Sequence, residues 1–252
     1  MIREKVLQTN FAKDNGFRWR GEDISRVEGF SDNVFGFALT LLVVSLEVPK
    51  TFSDLEETFQ GFIAFALAFA FLFSLWFYHY KFFRRYGIED TTVLWLNALL
   101  LFVILFFVYP LKFLFTYLVK AFRGISTDVA LPNGTVISSI QPEQWKTLMV
   151  AYGLGVVVIF GIFVILNIYA YQKRDELELN ELEMVITQGS IAAHLSNCFI
   201  GLISILIVLI WGHRAAGFSG LVYFLIGPLQ SLVGWFYGRK ANKIRASMIQ
   251  PS

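Results

Sequence analysis

Few side chains in this sequence are placed to do covalent chemistry, and their spacing limits what they can do. The histidines His79, His194 and His213 and the lone Cys198 are scattered along the chain. They form neither a His-Glu-x-x-His nor a Cys-x-x-Cys spacing, so no local metal-ligand set is encoded. No Gly-x-Ser-x-Gly elbow is present to hold a nucleophile, and no Walker loop to cradle phosphates. An enzyme is therefore not expected, and a single cysteine permits no internal disulfide. The polar groups that need a reason lie elsewhere. Arg26, Ser31, Asp32 and Thr40 fall within RVEGFSDNVFGFALTLLVVSLEVP, residues 26–49, an otherwise apolar run. Ionised side chains in such a run are costly unless they are paired or wetted.

The elements that must position these groups follow from composition. The chain has 252 residues, of which 56% are hydrophobic, 17% aromatic and only 16% charged. A soluble domain carries about 25% charged residues, so this is read as an all-α integral membrane protein. Six apolar segments are expected, at about 28–48, 59–82, 91–118, 145–170, 189–212 and 216–238, each long enough to span a bilayer. Residues 1–25 read as a polar N-terminal arm without a cleavable signal, 26–240 as one membrane domain, and 241–252 as a tail. An even number of spans puts both ends on one side. The arm, the second and fourth connections and the tail carry fifteen Lys and Arg, against six on the other side. Positive-inside places both termini in the cytoplasm. The net charge of +2 gives no reason to expect a nucleic-acid partner.

Several local features refine this picture. Ser53 with Glu56 resembles a capping box opening the second helix. Glu89 and Asp90 suit the N-terminus of the third, and Pro110 is expected to kink or thin it. Pro132-Asn133-Gly134-Thr135 between β-prone flanks predicts a short hairpin. The acidic connection KRDELELNELEM reads as a solvated helix extension. His194 and Asn197 share a face and are candidates to pair across a helix interface.

On a helical wheel, Asn33, Leu41, Val44 and Val48 fall within about 40° of Phe37, and Thr40 within about 60°. Asp32 lies nearly opposite. Two arrangements satisfy the motif at the start of this helix. In one, Arg26 and Asp32 join a network with Trp76 and His79 at matching depth. In the other, Arg26 snorkels and Ser31 and Asp32 cap the helix. The apolar stripe is likewise open: lipid-facing or core in a monomer, pore-lining in a symmetric oligomer. A secondary transporter with a midplane site is the rival reading, although no internal repeat supports it.

Arg26-x-x-x-Phe30-Ser31-Asp32 resembles the signature of the transmembrane protein 175 potassium channels, as do Trp76-x-x-His79 and the Leu96-Asn97 to Pro110 pattern. The resemblance covers about the first half of the chain. It implies a bundle of six transmembrane helices per subunit and, for a single unit of bacterial type, a homotetramer of this chain with three identical subunits in the bacterial plasma membrane. Helix 1 would line the central pore. Arg26, Phe30, Ser31, Asp32, Trp76, His79 and Asn97 would brace it. Phe37, Leu41 and Val44 would form a hydrophobic constriction, with Phe37 standing where the family usually has Ile or Leu. Thr40 would supply a ring of hydroxyls that K+ meets in passing, with modest preference over Na+. No resident cofactor is implied, and membrane lipid is the other expected partner.

Overall fold

The computed structural model describes residues 16–21, 23–44, 50–130 and 134–249. Residues 45–49, with Val48, and Pro132 and Asn133 lie outside the described residues, as does the side chain of Val44. The order is α1 (Arg26–Val44), α2 (Phe52–Gln60), α3 (Phe62–Tyr86), α4 (Thr91–Phe122), β1 (Asp128–Ala130), β2 (Val136–Ser138), α5 (Gln144–Gln172), α6 (Glu181–Trp211), α7 (Ala216–Leu221) and α8 (Ile226–Ile249). Short 3-10 turns flank α7. Among the described residues, five helical stretches are long and apolar enough to cross a membrane: α3, α4, α5, α6 and the broken run His213–Met248. The described part of α1 covers 19 residues, about 28 Å at 1.5 Å per residue.

The helices begin and end for identifiable reasons. Asp90 caps α4, its side chain accepting from the Val93 N–H at 3.1 Å. Burial works against the Asp90 charge. Hydrogen bonds from the Tyr169 hydroxyl, the Val93 N–H and Lys173 nevertheless hold its carboxyl below the ordinary value. This contribution is present at neutral pH and is lost as pH falls through the lowered value. Gly87, in the left-handed region at φ 60°, ends α3. α4 continues through Pro110 for 32 residues, and the Pro110 carbonyl accepts from the Tyr152 hydroxyl of α5. The predicted hairpin region contains two antiparallel strands, with Val129 opposite Ile137. The start of α2 differs from expectation. The Leu55 N–H bonds the Thr51 carbonyl, so Ser53 lies inside the first turn rather than capping it.

α1 packs against α3 and α4, α4 against α5, α5 against α6, and α6 against α8. Phe35, Ala38 and Leu42 of α1 join Leu72, Leu75, Leu100, Ile104 and Phe163 in one buried cluster. In lipid, apolar surface alone gives little drive for helices to associate, so close backbone approach matters. α5 and α6 meet at Gly153 and Gly201, where a Cβ on either residue would overlap its neighbour.

The acidic connection is exposed at Asp175, Glu176 and Glu178, but its far end is built into the fold. Asn180 caps α6 in a capping box with Glu183, and Glu183 is fully buried. Its carboxylate accepts from the Arg18 N–H at 2.8 Å, the Asn180 N–H at 3.1 Å and both Arg20 terminal nitrogens at 3.2 and 2.7 Å. The N-terminal arm is thereby seated on the helix ends. Phe17 is buried edge-on against Tyr86, and the Arg20 Nε donates to the Leu177 carbonyl at 2.8 Å. Breaking one side of a buried ion pair costs about 3–5 kcal/mol. Glu183→Ala should therefore lower the melting temperature and open Arg18 and Arg20 to trypsin. Arg20→Met with Glu183→Leu should recover only part of the loss, because the Arg18 and Asn180 N–H groups lose their acceptor. Unchanged melting and proteolysis in Glu183→Ala would show that the arm is held by other contacts.

Candidate functional site: the first helix and its hydrogen-bonded face

The start of α1 is set by Ser25, whose hydroxyl accepts from the Glu28 N–H at 3.1 Å while Glu28 accepts from the Ser25 N–H at 3.2 Å. This is a reciprocal cap, so Ser31 and Asp32 are not the capping pair. Glu28 is buried and also faces the Arg84 guanidinium at 3.4 Å. Arg84 donates in turn to the Gly21 carbonyl at 3.1 Å. The N-terminal arm, α1 and α3 therefore meet at one point.

Two turns further along α1, a line of polar side chains runs between helices. The His79 Nε2–H donates to Asn97 Oδ1 at 2.9 Å, which fixes the tautomer in this arrangement. The Asn97 amide donates to Ser31 Oγ at 2.9 Å, and Ser31 donates to the Val27 carbonyl at 2.8 Å. All three side chains are 3% exposed or less. Beside this line, the Trp76 indole donates to Asp32 Oδ1 at 2.8 Å. Near the other end of α1, the Lys112 ammonium donates to the Leu42 carbonyl at 3.1 Å. That carbonyl belongs to the last described turn of α1.

The opposite side of α1 is uncovered in the single chain. Arg26, Phe30, Asn33, Phe37 and Thr40 are all exposed, Phe30 at 64% and Phe37 at 58%. Their spacing alternates four and three residues, which keeps them in one row. Polar Arg26, Asn33 and Thr40 alternate in that row with aromatic Phe30 and Phe37. Thr40 donates to the Gly36 carbonyl at 2.9 Å, so its hydroxyl proton is engaged on the helix and its oxygen lone pairs remain available outward. Leu41 stands on the shoulder of the row, partly packed against the core.

Of the residues singled out in the sequence, the structure brings together Ser31, Asp32, Trp76, His79 and Asn97. Arg26 and Phe30 stand apart on the exposed row. Glu28, Arg84 and Lys112 take part without having been singled out. Ser25 and Glu28 carry a legible signal in the Ser-x-x-Glu spacing, whereas Lys112 has none. Asn197 is buried and accepts from the Gln230 amide at 2.9 Å. His194 stacks on Phe163 instead of pairing with Asn197. Among the described residues no cluster of His, Cys, Asp and Glu is arranged to hold a metal ion.

Long apolar helices joined by buried hydrogen bonds define a multi-pass helical membrane protein. Residues 26–107 match the model of the family described as endosomal/lysosomal potassium channel TMEM175. A protein of Marivirga tractuosa named "Potassium channel" is 38% identical over 95% of this chain and 98% of its own length. One from Chamaesiphon minutus, named as a potassium channel, is 28% identical over 49% of this chain and 65% of its own. The crystal structure of a threonine-to-alanine variant of the potassium channel MtTMEM175, bound to a nanobody–MBP fusion, superposes with a TM-score of 0.77. It is 39% identical, covering 88% of this chain and 97% of that one. The chain belongs to the TMEM175 family, a family of channels and not of enzymes.

Removing Asn97 would leave the His79 N–H without an acceptor and Ser31 without its donor, and an unsatisfied buried group costs about 1–3 kcal/mol. Asn97→Ala should lower stability in detergent by about 2 kcal/mol, with Ser31→Ala less damaging. A smaller effect for Asn97→Ala than for Ser31→Ala in equilibrium unfolding would contradict this order of dependence.

Proposed function

We propose that this chain is one subunit of a potassium-permeable cation channel, a homotetramer in the bacterial plasma membrane with both termini cytoplasmic. α1 serves as a sixth span and lines the central pore. The observation that carries this reading is the exposed row on α1. A face presenting Arg26, Asn33 and Thr40 at membrane depth is poorly matched to acyl chains, because polar side chains there belong beside water or other protein. Four copies arranged around an axis would place each residue of the row in its own ring. The relatives' names favour a channel over a carrier.

In this assembly Phe37 forms the narrowest apolar ring, and Leu41 and Val44 extend the constriction toward the outer end. Such a constriction conducts when it widens and wets. Thr40 directs its proton to Gly36 and offers oxygen lone pairs to a dehydrating K+. Four hydroxyls replace fewer water oxygens than stacked carbonyl rings, so the preference over Na+ is modest. On the far side of α1, the hydrogen bonds among Ser31, Asn97 and His79 and between Asp32 and Trp76 brace the helix, keeping the row turned toward the axis. Arg26 and Phe30 complete the motif at the cytoplasmic entrance.

Reconstitution in planar bilayers under bi-ionic conditions tests the proposal. Phe37→Ala should raise unitary conductance by about twofold or more and bring the K+ and Na+ permeabilities closer together. Thr40→Val should reduce K+ preference with a smaller change in conductance. If neither variant alters conductance or reversal potential, the row does not line the pathway. Saturating flux that requires a second ion gradient would support a carrier instead.

A further inference from the structure

Asn33 belongs neither to the constriction nor to the bracing contacts, and its surroundings on α1 set it apart. It is exposed, and its amide takes no hydrogen-bond partner among the described residues. Ser31, Asp32 and Thr40 are by contrast each engaged, with the Val27 carbonyl, the Trp76 indole and the Gly36 carbonyl. On a helix surface the neighbours of residue 33 are residues 29, 30, 36 and 37. Gly29 and Gly36 flank Asn33 on one side, and a Cβ added at either would meet nothing within 4 Å. Phe30 and Phe37 flank it on the other side, both exposed. The amide therefore stands in open space beside two phenyl rings, with its oxygen able to turn outward.

Position along the helix gives this group its meaning. At 1.5 Å per residue, Asn33 lies about 6 Å before Phe37, and Thr40 about 4.5 Å after it. Asn33 and Thr40 are seven residues apart, so they point within about 20° of one another. Two oxygen-bearing side chains therefore share one column, on opposite sides of a bulky apolar group. An ion sheds water to pass an apolar constriction, and the loss costs least where side-chain oxygens replace part of its shell just before entry. The charge on the row, Arg26, lies one further heptad away, about 10 Å. That exceeds the Debye length of about 8 Å in physiological salt, so its repulsion of a cation at Asn33 is weakened in a wetted entrance.

We infer that Asn33 supplies a ring of amide oxygens that holds a partly hydrated K+ on the cytoplasmic side of Phe37, a site separate from the Thr40 ring. The inference rests on the reading that α1 lines a pore shared by four chains. The test uses the full chain in inside-out membrane patches, where the cytoplasmic face is the one bathed. Asn33→Ala should lower outward K+ current by about twofold and inward current less, so that the current–voltage relation bends inward. Asn33→Asp, of nearly the same shape, should raise outward current and introduce a voltage-dependent block by Mg2+ added to the cytoplasmic face. Unchanged rectification and no Mg2+ block in these variants, with Phe37→Ala still altering conductance, would overturn the site and leave the pore reading standing. If Phe37→Ala is silent as well, the pore reading falls and the site with it. The amide could instead bond a neighbouring copy of α1. A loss of tetramer stability in Asn33→Ala with rectification and Mg2+ sensitivity unmoved in Asn33→Asp would show that brace and overturn the ion site.

Discussion

A polar group placed in hydrocarbon must find its partner within the protein, and this constraint organises the structure around α1. Ser31, Asn97 and His79 satisfy one another across three helices. The geometry allows little substitution, because each side chain is the right length to reach the next. One side of α1 is thereby committed to α3 and α4. What remains on its other side, Arg26, Phe30, Asn33, Phe37 and Thr40, is left uncovered as a consequence. The bonded face and the bare face are two results of the same requirement.

The same requirement explains how the N-terminal arm is held. Arg20 and Glu183 lie 163 residues apart in sequence and are almost fully enclosed. Such a pair is tolerable only when every other donor and acceptor is occupied, and here the Arg18 and Asn180 amides and the Leu177 carbonyl take up that role. Through Arg84, which touches both Gly21 and Glu28, the arm is continuous with the start of α1. A displacement of the arm would therefore be felt where the first helix begins.

Much of this was legible in the sequence, for reasons that can be named. Hydropathy located the long helices because twenty-odd apolar residues admit few other fates. The Asp90 cap and the paired strands near Gly134 are local signals, and both were readable. Ser31, Asp32, Trp76, His79 and Asn97 stood out as polar residues in apolar surroundings, and the structure groups them. The failures were of a different kind. The Ser25–Glu28 cap stands at the start of the apolar run, where Ser31 and Asp32 are the more conspicuous polar residues. Glu183 looked like one more acid in a charged connection, since nothing local marks the one that turns inward to meet Arg20. The last apolar segment, expected as one span, is one helical run, His213–Met248, but 3-10 turns at His213–Ala215 and Val222–Leu225 alternate with α-helix along it. Hydropathy does not distinguish the two helix types.

The direction of the bonds between His79 and Val27 has a further consequence. A Grotthuss wire needs every member to accept a proton on one side and release one on the other. Asn97 is a primary amide and does not do this at ordinary cost, and the line ends on a backbone carbonyl that has no proton to hand on. The polar line crossing from α3 to α1 is therefore an insulator for protons, although it looks like a relay in outline. The contacts that hold the first helix thus offer protons no path of their own.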